Sequence, residues 1–156
     1  MDLDQQIKDL IEQAPQDGVT PAAVQAIAPV LRQIASQLKH SEYYILQTLD
    51  ERWMMTTLSQ RTQPNSQKNL IYAYASLKDA TASPSAKDPQ VVAVPVASTH
   101  ILFQMVAMTT LDSTVFFEIP GNTTAGTEIA RDNLQQLVQA FLQQVQQRPQ
   151  PPTDIA

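Results

Sequence analysis

No cysteine occurs anywhere in the chain. That excludes disulfides, thiolate zinc sites and a cysteine nucleophile together, and it fits a reducing compartment such as the cytoplasm. Glycine is scarce at three residues, and none falls in a Walker-type or GxGxxG phosphate-binding pattern. Basic charge is also low: ten dispersed Lys and Arg stand against fifteen Asp and Glu, for a net charge of −5. Displacing counterions from a phosphate backbone or docking on an anionic bilayer needs more, so neither nucleic acid nor membrane is expected as a partner.

Histidine is limited to His40 and His100, which lie far apart with no HxxxH or HxH pair, so no metal and no cofactor is expected. There is no GxSxG nucleophile elbow. The start, Met1-Asp2-Leu3-Asp4, is acidic where a secretory signal is basic. The longest apolar region, 101–108, is interrupted by Gln104 and falls well short of the roughly 20 apolar residues that span a bilayer. A cytoplasmic protein is the expectation.

Glutamine fills the space that charge leaves. Its 21 residues compare with a charged fraction of only 16%, and most fall in stretches with helical periodicity, where Gln is a good helix former. Leu3, Ile7, Leu10 and Ile11 form one face of a first helix. Thr20 and Pro21 suit the start of a second, whose stripe runs Val24, Ile27, Leu31, Ile34, Leu38. Pro29 lies inside that stripe and predicts a kink or break near 25–28. Leu134, Leu137, Val138, Phe141, Leu142 and Val145 give a C-terminal helix a wide apolar face, with its start near 123–127 and Phe141 at its centre.

The middle of the chain reads as β. Aromatic and β-branched residues mark strands at 43–49, 52–60, 70–77, 91–97 and 114–119, with a hairpin turn at Asp50-Glu51 and a polar connection at 61–69. Pro95 predicts an edge position or a bulge for its strand. The segment 101–110 is read as a further strand with Ile101, Phe103, Met105 and Ala107 on one face; the alternative is a buried helix, which would join 91–97 and 114–119 as a βαβ unit. Two prolines and little apolar content make 81–89 the best candidate for a mobile loop.

The predicted fold class is therefore α+β: two N-terminal helices, an antiparallel five- or six-stranded meander sheet, and an amphipathic C-terminal helix packed on it. One domain is expected over 1–148, with a disordered proline-rich tail at 149–156.

No catalytic residue is proposed. Glu118, among Phe116, Phe117 and Ile119, and His100, after Ser98-Thr99, are the titratable residues that merit inspection. The loop 120–127, with Gly121 and Gly126 before the C-terminal helix, has the composition of an anion cradle, although threonine caps explain it equally. Tyr44, Trp53, Tyr72 and Tyr74 are the candidate interaction surface, because the strands carry many apolar residues and the helices look too few to cover both faces. A polar outer face turned to water by Thr48, Thr56, Gln104 and Thr114 is the rival arrangement.

The expected function is a non-enzymatic interaction module, an adaptor or assembly chaperone, self-associating as a homo-oligomer. The alternative is a small-molecule-binding domain with an apolar pocket between sheet and helix, lined by Met54, Met55, Phe103, Met105 and Phe141.

Overall fold

The computed structural model describes residues 3–13, 20–60 and 63–147. The proline-rich tail expected at 149–156 lies outside the described residues. The class is the expected one, α+β, with N-terminal helices, a six-stranded and mostly antiparallel sheet, and a C-terminal helix.

Helix α1 (Leu3–Gln13) and helix α2 (Thr20–Ser36) open the chain. Val24, Ile27 and Leu31 of the expected stripe are buried. The anticipated break at Pro29 does not occur, and α2 runs through it without interruption. Pro29 lies on the exposed side, and so does Gln25, whose carbonyl loses its usual partner and is open to water instead.

Strand β1 (Glu42–Thr48) ends in the predicted turn. Glu51 adopts φ 66°, the only left-handed non-glycine backbone among the described residues. Leu46 accepts a hydrogen bond from Met54 N at 2.8 Å, and Gln47 bridges Trp53. The chain then leaves β1, and β2 (Thr56–Gln60) pairs with β3 (Gln63–Tyr74). The expected polar connection at 61–69 is thus mostly strand. Backbone pairing to β2 holds it there without an apolar face.

Three further expectations are corrected. The segment 81–89, expected to lack secondary structure, holds a 3₁₀ turn at Pro84–Lys87 and with the preceding helix α3 (Leu77–Thr81), capped by Ser76 Oγ, which accepts from Asp79 N at 3.1 Å, forms a strap. The segment read as a strand at 101–110 is helix α4 (Ser98–Ala107), following β4 (Val91–Ala97). Its core side is Ile101, Leu102 and Met105, whereas Ala107 is exposed, which is helical and not alternating spacing. The C-terminal helix starts later than expected: after β5 (Ser113–Phe116) a short strand β6 (Thr127–Ala130) precedes α5 (Arg131–Gln147).

The sheet order is β4-β1-β3-β5-β6, with β2 beside the first part of β3. The connectivity is therefore not a meander. β4 pairs with β1, and β3 runs parallel to β5. β4 and β5 do point the same way, but β1 and β3 stand between them, so they are not βαβ neighbours. Pro95 sits on the edge strand, as its missing N–H requires.

Helices α1, α2, α4 and α5 pack together on one face of the sheet. Tyr43, Ile45, Ile71, Ala73 and Phe116 point into that layer and meet Leu31, Leu102, Met105 and Leu134. The guanidinium of Arg131 donates to Met105 O and Val106 O at 2.9 Å each, which satisfies the last carbonyls of α4.

Phe141 is half-buried at the margin of this core, while Leu134 on the same helix is fully enclosed. Leu134→Ala is therefore expected to cost about 2–5 kcal/mol and Phe141→Ala distinctly less. Denaturant midpoints of the two variants check this, and an equal or larger loss at Phe141 overturns the packing.

Candidate functional site

Alternation sends the neighbours of the core residues to the opposite face. Tyr44 and Leu46 on β1, Tyr72 and Tyr74 on β3, and Val115 on β5 with Phe117 just beyond its end gather there with Val91 and Met54. Phe117 lies 5.7 Å from Tyr72 between ring centroids, nearly parallel at 16°, and 5.3 Å from Tyr74. We call this side the tyrosine face.

The strap is its main cover. Ala80 of α3 is fully buried against it. Asp79 Oδ2 accepts a hydrogen bond from Gly121 N at 2.9 Å, which joins the strap to the loop after β5. Gly121 has φ 85°, a backbone that a side chain would strain. Beside the strap remain two clefts, of about 430 Å³ against Asp79, Phe117 and Gly121 and about 310 Å³ against Leu46, Met54 and Thr56, both floored by Tyr72 and Tyr74. Burial pushes the Tyr74 phenol up, and its hydrogen bond with Ser83 opposes that in part.

Of the four residues expected to form one surface, the structure brings together Tyr44, Tyr72 and Tyr74. It separates Trp53, which packs against the helix-side core and lies 6.3 Å from the His100 ring. The left-handed turn at Glu51 carries Trp53 to that side. The pocket expected from Met54, Met55, Phe103, Met105 and Phe141 does not form. Met105 is fully enclosed, Phe103 and Phe141 flank the helix-side core, Met54 lies on the tyrosine face and Met55 is exposed.

Glu118 proves to be a fastening point. Its carboxylate accepts from Lys39 N at 2.7 Å and from the Tyr43 hydroxyl, while His40 Nε2–H donates to its carbonyl oxygen at 2.6 Å. These contacts tie the end of α2 to the end of β5. His100, on α4, has its pKa lowered by burial, and Gln104 Nε2 lies 3.5 Å from its Nε2. The two histidines do not share a site, and among the described residues no three His, Asp or Glu gather closely enough to hold a metal.

The two-glycine loop does not open a helix, because β6 intervenes. Gly126 is needed for close packing: a Cβ there would lie 2.8 Å from Phe116 O. The anion-cradle reading loses its basis.

Compared with protein-family models, curated proteins and solved structures, the chain matches none.

Tyr43 is fully buried, and burial followed by the Glu118 carboxylate raises its phenol pKa above the usual value near 10. A folded-state pKa above the unfolded one means stability that is complete below about pH 10 and lost as pH rises further. The wild-type thermal midpoint should therefore fall beyond pH 10. Tyr43→Phe should be less stable at neutral pH by about 1–3 kcal/mol yet flatter across the alkaline range. Parallel alkaline profiles of the two proteins would contradict the assignment.

Proposed function

We propose that this chain is a non-enzymatic protein-interaction module, of the adaptor or assembly-chaperone type, that self-associates through its tyrosine face. The observation that carries the reading is an aromatic sheet face covered by a short strap where the opposite face has four helices. Around its open part the rim is apolar: Leu77 and Ile119, on the strap and on the loop joined to it, are 49% and 52% exposed. Leu58, 46% exposed, extends the same face, since Thr56 pairs with Leu70 and Leu58 with Lys68.

The rival arrangement, a polar outer face, draws on only two of its four residues. Thr114 is buried on the helix side, Gln104 belongs to α4, and Thr48 and Thr56 are half-buried at the margin of the tyrosine face. Aromatic side chains are also the type enriched at the centres of protein interfaces.

The partner we assign is a second copy related by a two-fold axis, the commonest arrangement of soluble oligomers. Low charge density opposes such an approach only weakly. Among the described residues no helix is long and apolar enough to cross a membrane. The cytoplasm is the compartment we infer, on the cysteine-free composition.

Sedimentation equilibrium at micromolar concentration tests the reading. A dimer is expected for the wild type, and a monomer of 17.3 kDa for Leu58→Glu and Ile119→Glu, with thermal midpoints at high dilution unchanged. A wild-type monomer across the whole range rejects self-association through this face.

A further inference from the structure

A second cavity, larger than either cleft, lies on the helix side of the sheet and owes nothing to the tyrosine face. It is a groove of about 740 Å³ between the hairpin 47–55 and α4, walled by Gln47, Trp53, Met55, His100, Gln104 and Met108. The volume falls within the roughly 300–1,000 Å³ typical of small-molecule sites. Trp53 and His100 meet at an interplanar angle of 51°, and so form a corner of two aromatic rings.

The polar groups around this corner have spare hydrogen-bonding capacity. Among the described residues neither the Trp53 indole N–H nor the Gln47 side-chain amide makes a hydrogen bond, and Gln104 makes only the long 3.5 Å contact to His100. Indole donates only, whereas a carboxamide both donates and accepts. Burial holds His100 below the usual histidine range, so at neutral pH its imidazole is uncharged and keeps a lone pair. Glu51 and Arg52 line the rim, and the Arg52 guanidinium is already paired with Asp50, Nε to Oδ2 at 3.4 Å. The hairpin that presents Trp53 is held in a sparsely populated conformation by Glu51 at φ 66°, which the hydrogen bond from Thr48 N to Arg52 O maintains.

We propose that this groove binds a neutral, flat heteroaromatic molecule, stacked on Trp53 and held along its edge by Gln47, Gln104 and His100. A ring system supplies the face that the indole lacks. Its edge needs both an acceptor and a donor, because the groove offers both kinds of group. An anionic ligand meets Glu51 and a guanidinium already paired with Asp50, and a purely aliphatic one leaves the indole N–H and two amides without partners.

Trp53 is the only tryptophan, so its fluorescence reports on the site directly. Adenine serves as the probe, being flat and neutral at pH 7 with donor and acceptor edges; cyclohexanol serves as the aliphatic control. The expected result is saturable quenching of the full chain by adenine, with a Kd below about 1 mM. Gln47→Ala and Gln104→Ala, neither of which removes a core residue, should each weaken it roughly tenfold at an unchanged thermal midpoint. Cyclohexanol should not quench. Quenching that rises linearly without saturation, that is the same in both variants, or that cyclohexanol reproduces, overturns the proposal. Should one variant lose stability, the other together with the wild-type saturation curve still decides.

Discussion

The sheet is apolar on both faces, and the rest of the molecule is arranged around that constraint. Consecutive residues Tyr43 and Tyr44, Ile45 and Leu46, Ile71 and Tyr72, and Phe116 and Phe117 go to opposite sides, and every one of them is buried or half-buried. An ordinary antiparallel sheet turns one face to water. Here one side receives four helices, and the tyrosine face receives α3 and a 3₁₀ turn. Tyrosine suits the thinly covered side because its ring is apolar while its hydroxyl tolerates water.

Neutral polar contacts hold the helical layer in register on the sheet. Gln6 of α1 is 2% exposed, yet its amide is well satisfied: Nε2 donates to Ser41 O at 2.5 Å, and Oε1 accepts from Thr99 N at 3.3 Å and Thr99 Oγ1 at 2.8 Å. One side chain thereby joins α1, the start of β1 and the first turn of α4. Arg131 does the corresponding work at the other end of α4. A buried amide with partners costs little, whereas the same groups left unpaired would be expensive. A glutamine-rich chain thus uses one of its glutamines as internal structure.

Legibility in the sequence followed from how strongly each segment's periodicity was determined. The stripes of α1 and α2, that of α5 apart from Leu137, which is 53% exposed, and the edge role of Pro95 were readable because each rests on local spacing or on a missing N–H. Helix α4 was not. It is apolar almost all round, and a short apolar run has no polar face from which to take a period. Strand β6 has four residues, too few to alternate visibly. The first half of β3 is polar and held by its backbone.

The site divides in the same way. Tyr72 and Tyr74 share a face by simple alternation, and Tyr44 joins them by pairing with Tyr74. Trp53 was misplaced because a left-handed glutamate turns the chain, and nothing but glycine or asparagine announces such a turn in a sequence. The partnership of Glu118 with Tyr43 spans 75 residues and has no local signature at all.

The edge strand carries one more consequence, for how the sheet meets another strand. Pro95 pairs across from Tyr44, so its nitrogen must face away from β1, and the outer rim of β4 is missing a donor at its centre. A further strand laid along that rim would meet the proline ring and an unpaired carbonyl. The far edge, β6, is only four residues long. These two edges, β4 and β6, are therefore poor templates for pairing with a further strand.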